Sequence, residues 1–321
     1  MKSRSLSLTG ATGFVGWHVA ESFVRDGWEV RAIVRRGNRK PVPAGVTVVE
    51  SDLTEGALES AFRGTDVVVH AAALIRARDE AAFRAVNVDG TQAAARAAAR
   101  AGVRMVLVSS QAAGGEGTRD RPRQESDAPA PVNAYGRSKL ASEVVLQATA
   151  GLAWTILRPC AVFGPRDRGF LPLFRMARYG FFLVPSDPAT PFTLIYIDDV
   201  VRAVRLAAES DRALGETFFI GHPQARTGDD VLRAIAMGQG RAFRPLRVPG
   251  LLFTAAARIG DLCWRLGVRP MVDSGRLVEL RARGFVCNVD RARDVLGFSA
   301  ATDLESGIDE TARWYRANGW L

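Results

Sequence analysis

A glycine-rich turn joins the first predicted strand, Ser5–Thr9, to the first predicted helix, Gly13–Asp26. The turn reads Thr9-Gly10-Ala11-Thr12-Gly13-Phe14-Val15-Gly16, which is the pattern G-x-x-G-x-x-G. The first glycine permits a tight bend, the second lets the backbone approach a pyrophosphate, and the third lets helix and strand pack closely. The N–H groups at the helix N-terminus then favour phosphate groups. We therefore predict a dinucleotide site, the alternative being a glycine turn without a ligand.

The first half of the chain alternates short β-branched runs with helical stretches. The predicted strands are Ser5–Thr9, Glu29–Val34, Val46–Glu50, Asp66–His70, Arg104–Ser109 and Trp154–Leu157. The predicted helices are Gly13–Asp26, Leu53–Phe62, Glu80–Ala101 and Asn133–Ala148, and Gly114–Val132 reads as a loop. Strands that alternate with helices pair in parallel through right-handed crossovers. The predicted fold class is α/β, a doubly wound parallel sheet of the Rossmann type.

The pattern becomes less regular after Pro159, because residues 163–191 are rich in proline. A strand at Phe192–Ile197, a helix at Asp198–Ala208 and a strand at Glu216–Ile220 follow, and the chain from Thr227 onward is mostly helical by pattern. We expect a dinucleotide-binding Rossmann domain formed by residues 1–162 and 192–222. A smaller, mostly helical substrate domain would be formed by residues 163–191 and 223–321.

Charge and cysteine usage restrict the partners. The net charge of +9 comes from arginines scattered along the chain, which favours solvated faces or steering of anionic ligands. Without a basic stripe or a known module, we expect no nucleic-acid partner. Cys160, Cys263 and Cys287 are widely spaced, so we expect a reducing, cytoplasmic location and no metal site. No stretch has the roughly 20 apolar residues of a membrane span.

The end of the second predicted strand carries Val34-Arg35-Arg36, where an acidic residue would bind a ribose hydroxyl. A carboxylate would repel a 2′-phosphate, whereas a guanidinium binds it through charge-assisted hydrogen bonds. Arg35 therefore favours NADP(H), and NAD(H) stays possible because the arginines can also belong to a solvated loop.

Tyr135 and Lys139 lie four residues apart on a predicted helix and therefore share one face. A tyrosine hydroxyl has an ordinary pKa of about 10, and a nearby ammonium group lowers that pKa. Tyr135 would then exchange a proton with a carbonyl or alcohol oxygen. Ser110 follows a strand at the carboxyl edge of the sheet, where its hydroxyl can hold the same oxygen.

These motifs together resemble the extended short-chain dehydrogenases/reductases of the NAD(P)-dependent epimerase/dehydratase superfamily. Dihydroflavonol-reductase-like and 3β-hydroxysteroid-dehydrogenase-like enzymes are the most similar branch. The resemblance includes Asp52-Leu53 beside the adenine, His70-Ala71-Ala72-Ala73 along the ribose, Asn87–Thr91, and Leu157–Pro165 along the nicotinamide. It also includes Ile197–Val200, Leu296–Phe298 and Trp314-Tyr315.

The resemblance implies catalytic roles for Ser110, Tyr135 and Lys139, with Ser109 as the alternative serine and Asn87 as structural support. It implies coenzyme contacts by Gly10, Thr12, Gly13, Phe14, Val15, Arg35, Asp52, Leu53, Ala71, Ala72, Ala73, Tyr135, Lys139, Pro159 and Val162. A homodimer is possible, since dimers are common in this family.

Sequence after the serine bears on the reaction. Gln111-Ala112-Ala113 replaces the acidic pair of dehydratases, and Ala113-Gly114-Gly115 replaces the V-Y-G of most sugar-nucleotide enzymes. We expect hydride transfer between NADP(H) and a ketone or secondary alcohol on a largely apolar small molecule. One alternative is a nucleotide-sugar epimerase or reductase, with Arg166, Arg168 and Arg175 holding a diphosphate. Another is a non-catalytic NADP(H)-binding assembly or regulatory protein.

Two apolar segments are expected mainly to form core. The first contains Phe163, Phe170, Phe174, Tyr179, Phe181 and Phe182, which would otherwise line an apolar pocket. The second, Val248–Val268, would otherwise form an apolar-faced helix over the site or one that contacts a membrane surface.

Overall fold

The computed structural model describes residues 3–185, 190–266, 270 and 273–321. Its strands are β1 (Ser5–Thr9), β2 (Glu29–Arg35), β3 (Thr47–Ser51), β4 (Val67–His70), β5 (Arg104–Val108), β6 (Trp154–Pro159), β7 (Ala161–Phe163), β8 (Phe182–Pro185), β9 (Pro191–Phe192), β10 (Leu194–Tyr196), β11 (Glu216–Ile220), β12 (Arg226–Thr227) and β13 (Pro245–Val248). Its helices are α1 (Phe14–Arg25), α2 (Glu55–Phe62), α3 (Glu80–Phe83), α4 (Gly90–Ala101), α5 (Ala134–Gln147), α6 (Leu171–Arg178), α7 (Ile197–Glu209), α8 (Gly228–Met237), α9 (Gly250–Arg265), α10 (Ser274–Leu280), α11 (Asp290–Leu296) and α12 (Leu304–Ala317).

Seven parallel strands form the central sheet in the order β11-β6-β5-β4-β1-β2-β3. From β1 the chain builds outward to β3 on one side, and from β4 it builds outward to β11 on the other. The strand order therefore reverses between β1 and β4, where Thr9 pairs with His70. In sheets of this kind, ligands bind outside the carboxyl ends of the strands at that reversal. The predicted doubly wound parallel sheet is confirmed.

The inner strand β4 is buried on both faces, which explains why it reads as a continuous apolar run up to His70. In β4, Val67 and Val69 pack into the core on one face, and Val68 packs into the core on the other. Helices α1 and α7 cover the first face, and α2, α4 and α5 cover the second. The two layers hold the carboxyl ends of the strands in fixed relative positions.

The predicted helix Glu80–Ala101 is interrupted. The structure has α3, then a widened π-helical turn at Arg84–Asp89, and then α4. The wide turn buries Asn87, whose carbonyl oxygen accepts hydrogen bonds from Thr91 Oγ1 at 2.6 Å and from Ser142 Oγ at 2.7 Å. π-Turns occur frequently at functional sites.

The structure corrects the expected organisation between Phe163 and Val248. Strands β8 and β13 pair in parallel, although neither has a clear sequence signal. The strand predicted at Phe192–Ile197 is divided between β9 and β10, and α7 begins at Ile197. Pro188, part of the proline-rich stretch, lies outside the described residues.

The apolar side chains of the proline-rich segment have different environments. Phe163, Phe174 and Phe182 are buried in the core, as expected. Tyr179 and Phe181 are exposed instead. The core expectation is also wrong for much of α9, whose leucines and isoleucine face solvent; Val268 lies outside the described residues.

Candidate active site

The glycine turn after β1 has the close contacts that the motif predicts. Gly10 has φ of +82°, and a Cβ there would lie 2.6 Å from the carbonyl carbon of Ala71. A Cβ on Gly16 would overlap the carbonyl oxygen of Gly10. The first glycine therefore brings the turn against the chain that leaves β4, and the third brings α1 against the turn. A side chain at either position would move the helix away from the sheet.

The N-terminus of α1 suits a phosphate group. Gly13 occupies the N-cap, and its N–H donates to the carbonyl oxygen of Gly10 at 2.9 Å. Within the described helix α1, the cap has no side-chain hydrogen bond and the first turn, which includes Phe14 and Val15, has no acidic residue. The N–H groups of this turn, which Thr12 precedes, are therefore left for an anion. The chain fits the pyrophosphate of a dinucleotide coenzyme.

Strands β2 and β3 bring Arg35 and Asp52 to one edge, because Arg35 pairs in register with Ser51. Arg35 is exposed. The Asp52 carboxylate accepts hydrogen bonds from the N–H of Thr54 at 3.0 Å and from its hydroxyl at 2.8 Å. These bonds, together with the Arg36 charge, hold the pKa of Asp52 below its ordinary value. Leu53 has φ of +62°, an unusual conformation for a residue with a branched side chain.

Ser110, Tyr135 and Lys139 converge where β5 ends. Ser110 lies two residues beyond the end of β5, and its Oγ accepts a hydrogen bond from the N–H of Ala112 at 3.2 Å. Tyr135, in the first turn of α5, shares a side-chain hydrogen bond with Ser110. One turn further on, Lys139 Nζ donates to the carbonyl oxygen of Val108 at 2.9 Å. A hydroxyl, a phenol and an ammonium group therefore meet at the carboxyl edge of the sheet.

The ionisation of Tyr135 differs from the expectation. Burial raises its pKa to about 12; the hydrogen bond from Ser110 opposes this effect and the Glu279 carboxylate reinforces it. The predicted lowering of the pKa by Lys139 is not seen, since the Lys139 ammonium is directed to Val108. Tyr135 is therefore a protonated phenol at neutral pH.

Lys139 and His70 are both buried. Burial lowers the pKa of Lys139 to about 8, although the Glu143 carboxylate opposes the shift. Burial and the Lys139 charge lower the pKa of His70 to about 3, so its ring is neutral. His70 Nδ1 and Thr9 Oγ1 share a hydrogen bond of 2.8 Å, and Nε2 has no partner among the residues that the structure describes.

A buried ion pair beneath the site was missed by the sequence analysis. Arg158 binds Glu143 through Nε, at 3.0 and 3.3 Å from the two carboxylate oxygens, and through Nη2 at 2.7 Å. Ser109 Oγ donates to the same carboxylate at 2.5 Å. Ser109 is thereby committed to Glu143, whereas Ser110 contacts Tyr135, so the geometry favours Ser110 as the serine of the site. The signal available in the sequence was Glu143, four residues after Lys139 on the same helix face.

Asn87 joins three segments around the site. Its Oδ1 accepts from the N–H of Leu74 at 2.7 Å, and its Nδ2 donates to the carbonyl oxygen of Leu74 and to Ser138 Oγ, both at 2.9 Å. These contacts link the chain after β4 to α5. The same chain includes Ala71, Ala72 and Ala73, and the N–H of Ala71 donates to the carbonyl oxygen of Thr9 at 3.1 Å.

The expected nicotinamide segment leaves the sheet at Pro159. Pro159 ends β6 in register with Ile220, and Val162 follows in β7, paired with Ile195. Cys160, between them, is buried against Phe219 and Cys287. Pro159 is buried and Val162 is half-buried.

Helix α10, in the C-terminal part of the chain, contacts the N-terminus of α5. Asn133 is the N-cap of α5, and its Oδ1 accepts from the N–H of Gly136 at 2.8 Å. Its Nδ2 donates to Glu279 Oε1 of α10 at 2.6 Å. The sequence analysis did not identify Glu279, which brings α10 within electrostatic range of Tyr135.

The three arginines proposed as diphosphate ligands have aromatic and carbonyl partners. The Arg166 guanidinium lies 3.5 Å from the ring centroid of Trp17. The Arg168 guanidinium lies 5.0 Å from the ring centroid of Trp320, and Arg175 donates to the carbonyl oxygen of Trp320 at 3.3 Å. They help to fix the C-terminal residues onto the fold.

Several known proteins are similar to this chain over nearly its whole length. "Ceramide reductase" of Caulobacter vibrioides is 32% identical, with 98% of this chain and 96% of that protein covered. A Stigmatella aurantiaca protein, "4-hydroxy-2-methyl-3-oxo-4-farnesyl-3,4-dihydroquinoline-1-oxide ketoreductase", is 29% identical over 94% of each chain. The solved structure "MoeE5 in complex with UDP-glucuronic acid and NAD" matches with a TM-score of 0.78 and 27% identity, covering 98% of this chain and 99% of that one.

The model of the NAD dependent epimerase/dehydratase family matches residues 6–221, from β1 to the end of β11. That range contains the glycine turn, Ser110, Tyr135 and Lys139. The protein is therefore an enzyme of the NAD dependent epimerase/dehydratase family, of the extended short-chain dehydrogenase/reductase type.

Proposed function

We propose that this enzyme transfers a hydride between NADP(H) and a ketone or secondary alcohol on a largely apolar small molecule. The observation that carries the proposal is the convergence of Ser110, Tyr135 and Lys139 at the carboxyl end of β5. When bound, the nicotinamide coenzyme supplies or accepts the hydride. The glycine turn at Gly10 and Gly13 would hold its pyrophosphate, and Arg35 would hold a 2′-phosphate.

Reduction is the direction that this site serves best. Because the pKa of Tyr135 is about 12, the phenol holds a proton that it can give to a carbonyl oxygen as that oxygen becomes negative. The Ser110 hydroxyl would donate a second hydrogen bond to the same oxygen. Lys139, held by the carbonyl of Val108, would place a positive charge near the developing oxyanion and near the coenzyme ribose.

The names of two relatives and the contacts of three arginines support the proposal that the substrate is apolar. One relative is a reductase named for the lipid ceramide, and the other is a ketoreductase whose named substrate carries a farnesyl chain. Arg166, Arg168 and Arg175, the residues that a sugar nucleotide would require under the alternative reading, have partners in Trp17 and Trp320.

The experiment is a nicotinamide absorbance assay with NADPH over sterol ketones, long-chain keto lipids, aryl ketones and UDP-sugars. Tyr135→Phe should lower kcat by about 10²- to 10⁴-fold while leaving NADPH affinity nearly unchanged, because only the proton donor is lost. Tyr179→Phe is the matched control, since Tyr179 is an exposed phenol that is 74% accessible. Its kcat should equal that of the wild type.

Three results would contradict the proposal. Undiminished turnover by Tyr135→Phe would remove the phenol from the chemistry. Interconversion of UDP-sugars without net NADPH oxidation would indicate an epimerase. Tight NADPH binding without oxidation by any carbonyl compound in the panel would indicate a non-catalytic binding protein.

A further inference from the structure

Helix α9 has an apolar face that the fold leaves open to solvent. Leu251, Ile259 and Leu266 recur at helical spacing and are 80%, 63% and 73% exposed. Leu252 and Leu262 on the same face are more than half exposed. An amphipathic helix of a globular protein normally buries such a stripe against the core. Several large apolar side chains on one exposed face mark a surface that contacts another apolar phase.

The opposite face of α9 is anchored, so the exposure does not come from a loosely placed helix. Ala257 is fully buried. Trp264 Nε1 donates to Asp273 Oδ2 at 3.1 Å, and Ser274 Oγ donates to Asp261 Oδ2 at 2.5 Å. Arg281 Nη2 donates to Thr254 Oγ1 at 2.6 Å. These polar contacts hold α9 on α10 and leave the apolar stripe on the outside.

The charged side chains around this apolar face indicate which kind of partner it contacts. The segment from Arg241 to Leu266 contains five arginines and one aspartate. That aspartate, Asp261, binds Ser274 of α10, whereas Arg244 and Arg258 are exposed. A second copy docked through the same face would bring a second Arg258 into the interface, while Asp261, the one acidic residue of this segment, is already bound to Ser274. An apolar face bordered by arginines instead fits the boundary between the head groups and acyl chains of an anionic bilayer.

The face is close to the candidate active site. Helix α10 lies between α9 and the start of α5, where Glu279 accepts a hydrogen bond from Asn133. Before α10, the carbonyl oxygen of Pro270 accepts a hydrogen bond of 2.8 Å from Arg76 Nη1, in the chain that leaves β4. The α9–α10 pair therefore contacts two segments that border the candidate site, the start of α5 and the chain that leaves β4. None of the helices in the described ranges is long and apolar enough to cross a bilayer, so any attachment through α9 is peripheral.

We propose that the outer face of α9 docks this enzyme on an anionic lipid bilayer. The docking lets the site receive its apolar substrate from the membrane, a step that rests on the proposed function. The docking itself depends on the apolar stripe and its bordering arginines.

The test is flotation of the full-length protein with vesicles of phosphatidylcholine and phosphatidylglycerol, compared with vesicles of phosphatidylcholine alone. The wild type should bind the anionic vesicles at least about tenfold more tightly, and this difference should shrink as salt is added. The double variant Leu251→Asp, Ile259→Asp should lose about tenfold or more of that binding, since two charges would have to enter the interface. Circular dichroism and thermal unfolding check that each variant is folded.

Val48→Asp is the matched control, because Val48 is an apolar side chain on β3 that is 49% exposed and lies outside α9. It should bind vesicles like the wild type. Equal vesicle binding by the α9 double variant, or no binding by the wild type, would overturn the proposal. So would self-association of the wild type that the α9 variant abolishes, without vesicle binding. Vesicle binding requires no turnover, so its result stands even where no ketone is reduced.

Discussion

Replacing Lys139 with methionine should stabilise the protein at neutral pH while it removes an ammonium group that the proposed reaction uses. Lys139 is buried, and its pKa is about 8 in the folded chain compared with an ordinary 10.5. The folded state therefore holds the ammonium proton less tightly than the unfolded state does. Below pH 8 both states are protonated, and the folded state bears the full penalty of a buried charge.

The size of this stabilisation follows from the pKa shift of Lys139. A difference of about 2.5 pKa units corresponds to about 3 kcal/mol of unfolding free energy. The variant also loses the hydrogen bond from Lys139 Nζ to Val108, which is worth about 1 kcal/mol. Methionine is of similar length and leaves no large cavity. We expect Lys139→Met to be about 2 kcal/mol more stable than the wild type at pH 7.

The pH dependence of the stability difference between the two proteins identifies the buried charge of Lys139 as its cause. As pH rises from 8 to 10.5, the folded state of the wild type sheds the proton first, so its penalty disappears and its stability rises relative to the variant. Urea unfolding of both proteins, without coenzyme, at pH 7 and at pH 10 measures the change; other groups cancel in the difference. A variant that is less stable at pH 7 by an amount that does not depend on pH would refute the reasoning.

Two further predictions concern the coenzyme. Gly10→Ala should destabilise the fold by more than about 2 kcal/mol and abolish tight NADPH binding, because its Cβ would lie 2.6 Å from Ala71. Gly27 is the control, since it has nearly the same φ, +81°, and no described atom lies within 4 Å of an added Cβ. Calorimetry of Gly27→Ala should show a loss of only about 1 kcal/mol, and NADPH titration should show no loss of affinity. Arg35→Ala should weaken NADPH binding by about tenfold or more and leave NADH binding unchanged in a fluorescence titration, whereas equal losses for both coenzymes would exclude a 2′-phosphate contact.

The parts of the structure that follow from local pattern were predictable. The position of strand β1 and of the glycine turn followed from the short segment Ser5–Thr9 and the spacing of Gly10, Gly13 and Gly16. Tyr135 and Lys139 share a face because residues four apart on any helix do so. The seven-stranded sheet follows from alternating strands and helices, which leave little topological choice.

The features that depend on partners distant in the chain were not predictable. The residues around Glu143 in the sequence do not indicate that Arg158, from a different element, pairs with it inside the protein. The ionisation of Tyr135 depends on how deeply the fold buries it and on where the Lys139 ammonium points, and the sequence gives neither. For α9, apolar spacing indicated an amphipathic helix, but only the tertiary structure shows that its apolar face points outward.

The buried Glu143–Arg158 pair explains how a deeply buried lysine stays charged. Ion pairs in an interior contribute little net stability, since the loss of hydration offsets their attraction. Here the Glu143 carboxylate raises the pKa of Lys139 against the opposing effect of burial, so the ammonium remains protonated at neutral pH. Arg158 and the Ser109 hydroxyl bind that carboxylate and fix its position. The pair thus helps to keep a positive charge on Lys139, at a depth where burial alone favours the neutral amine.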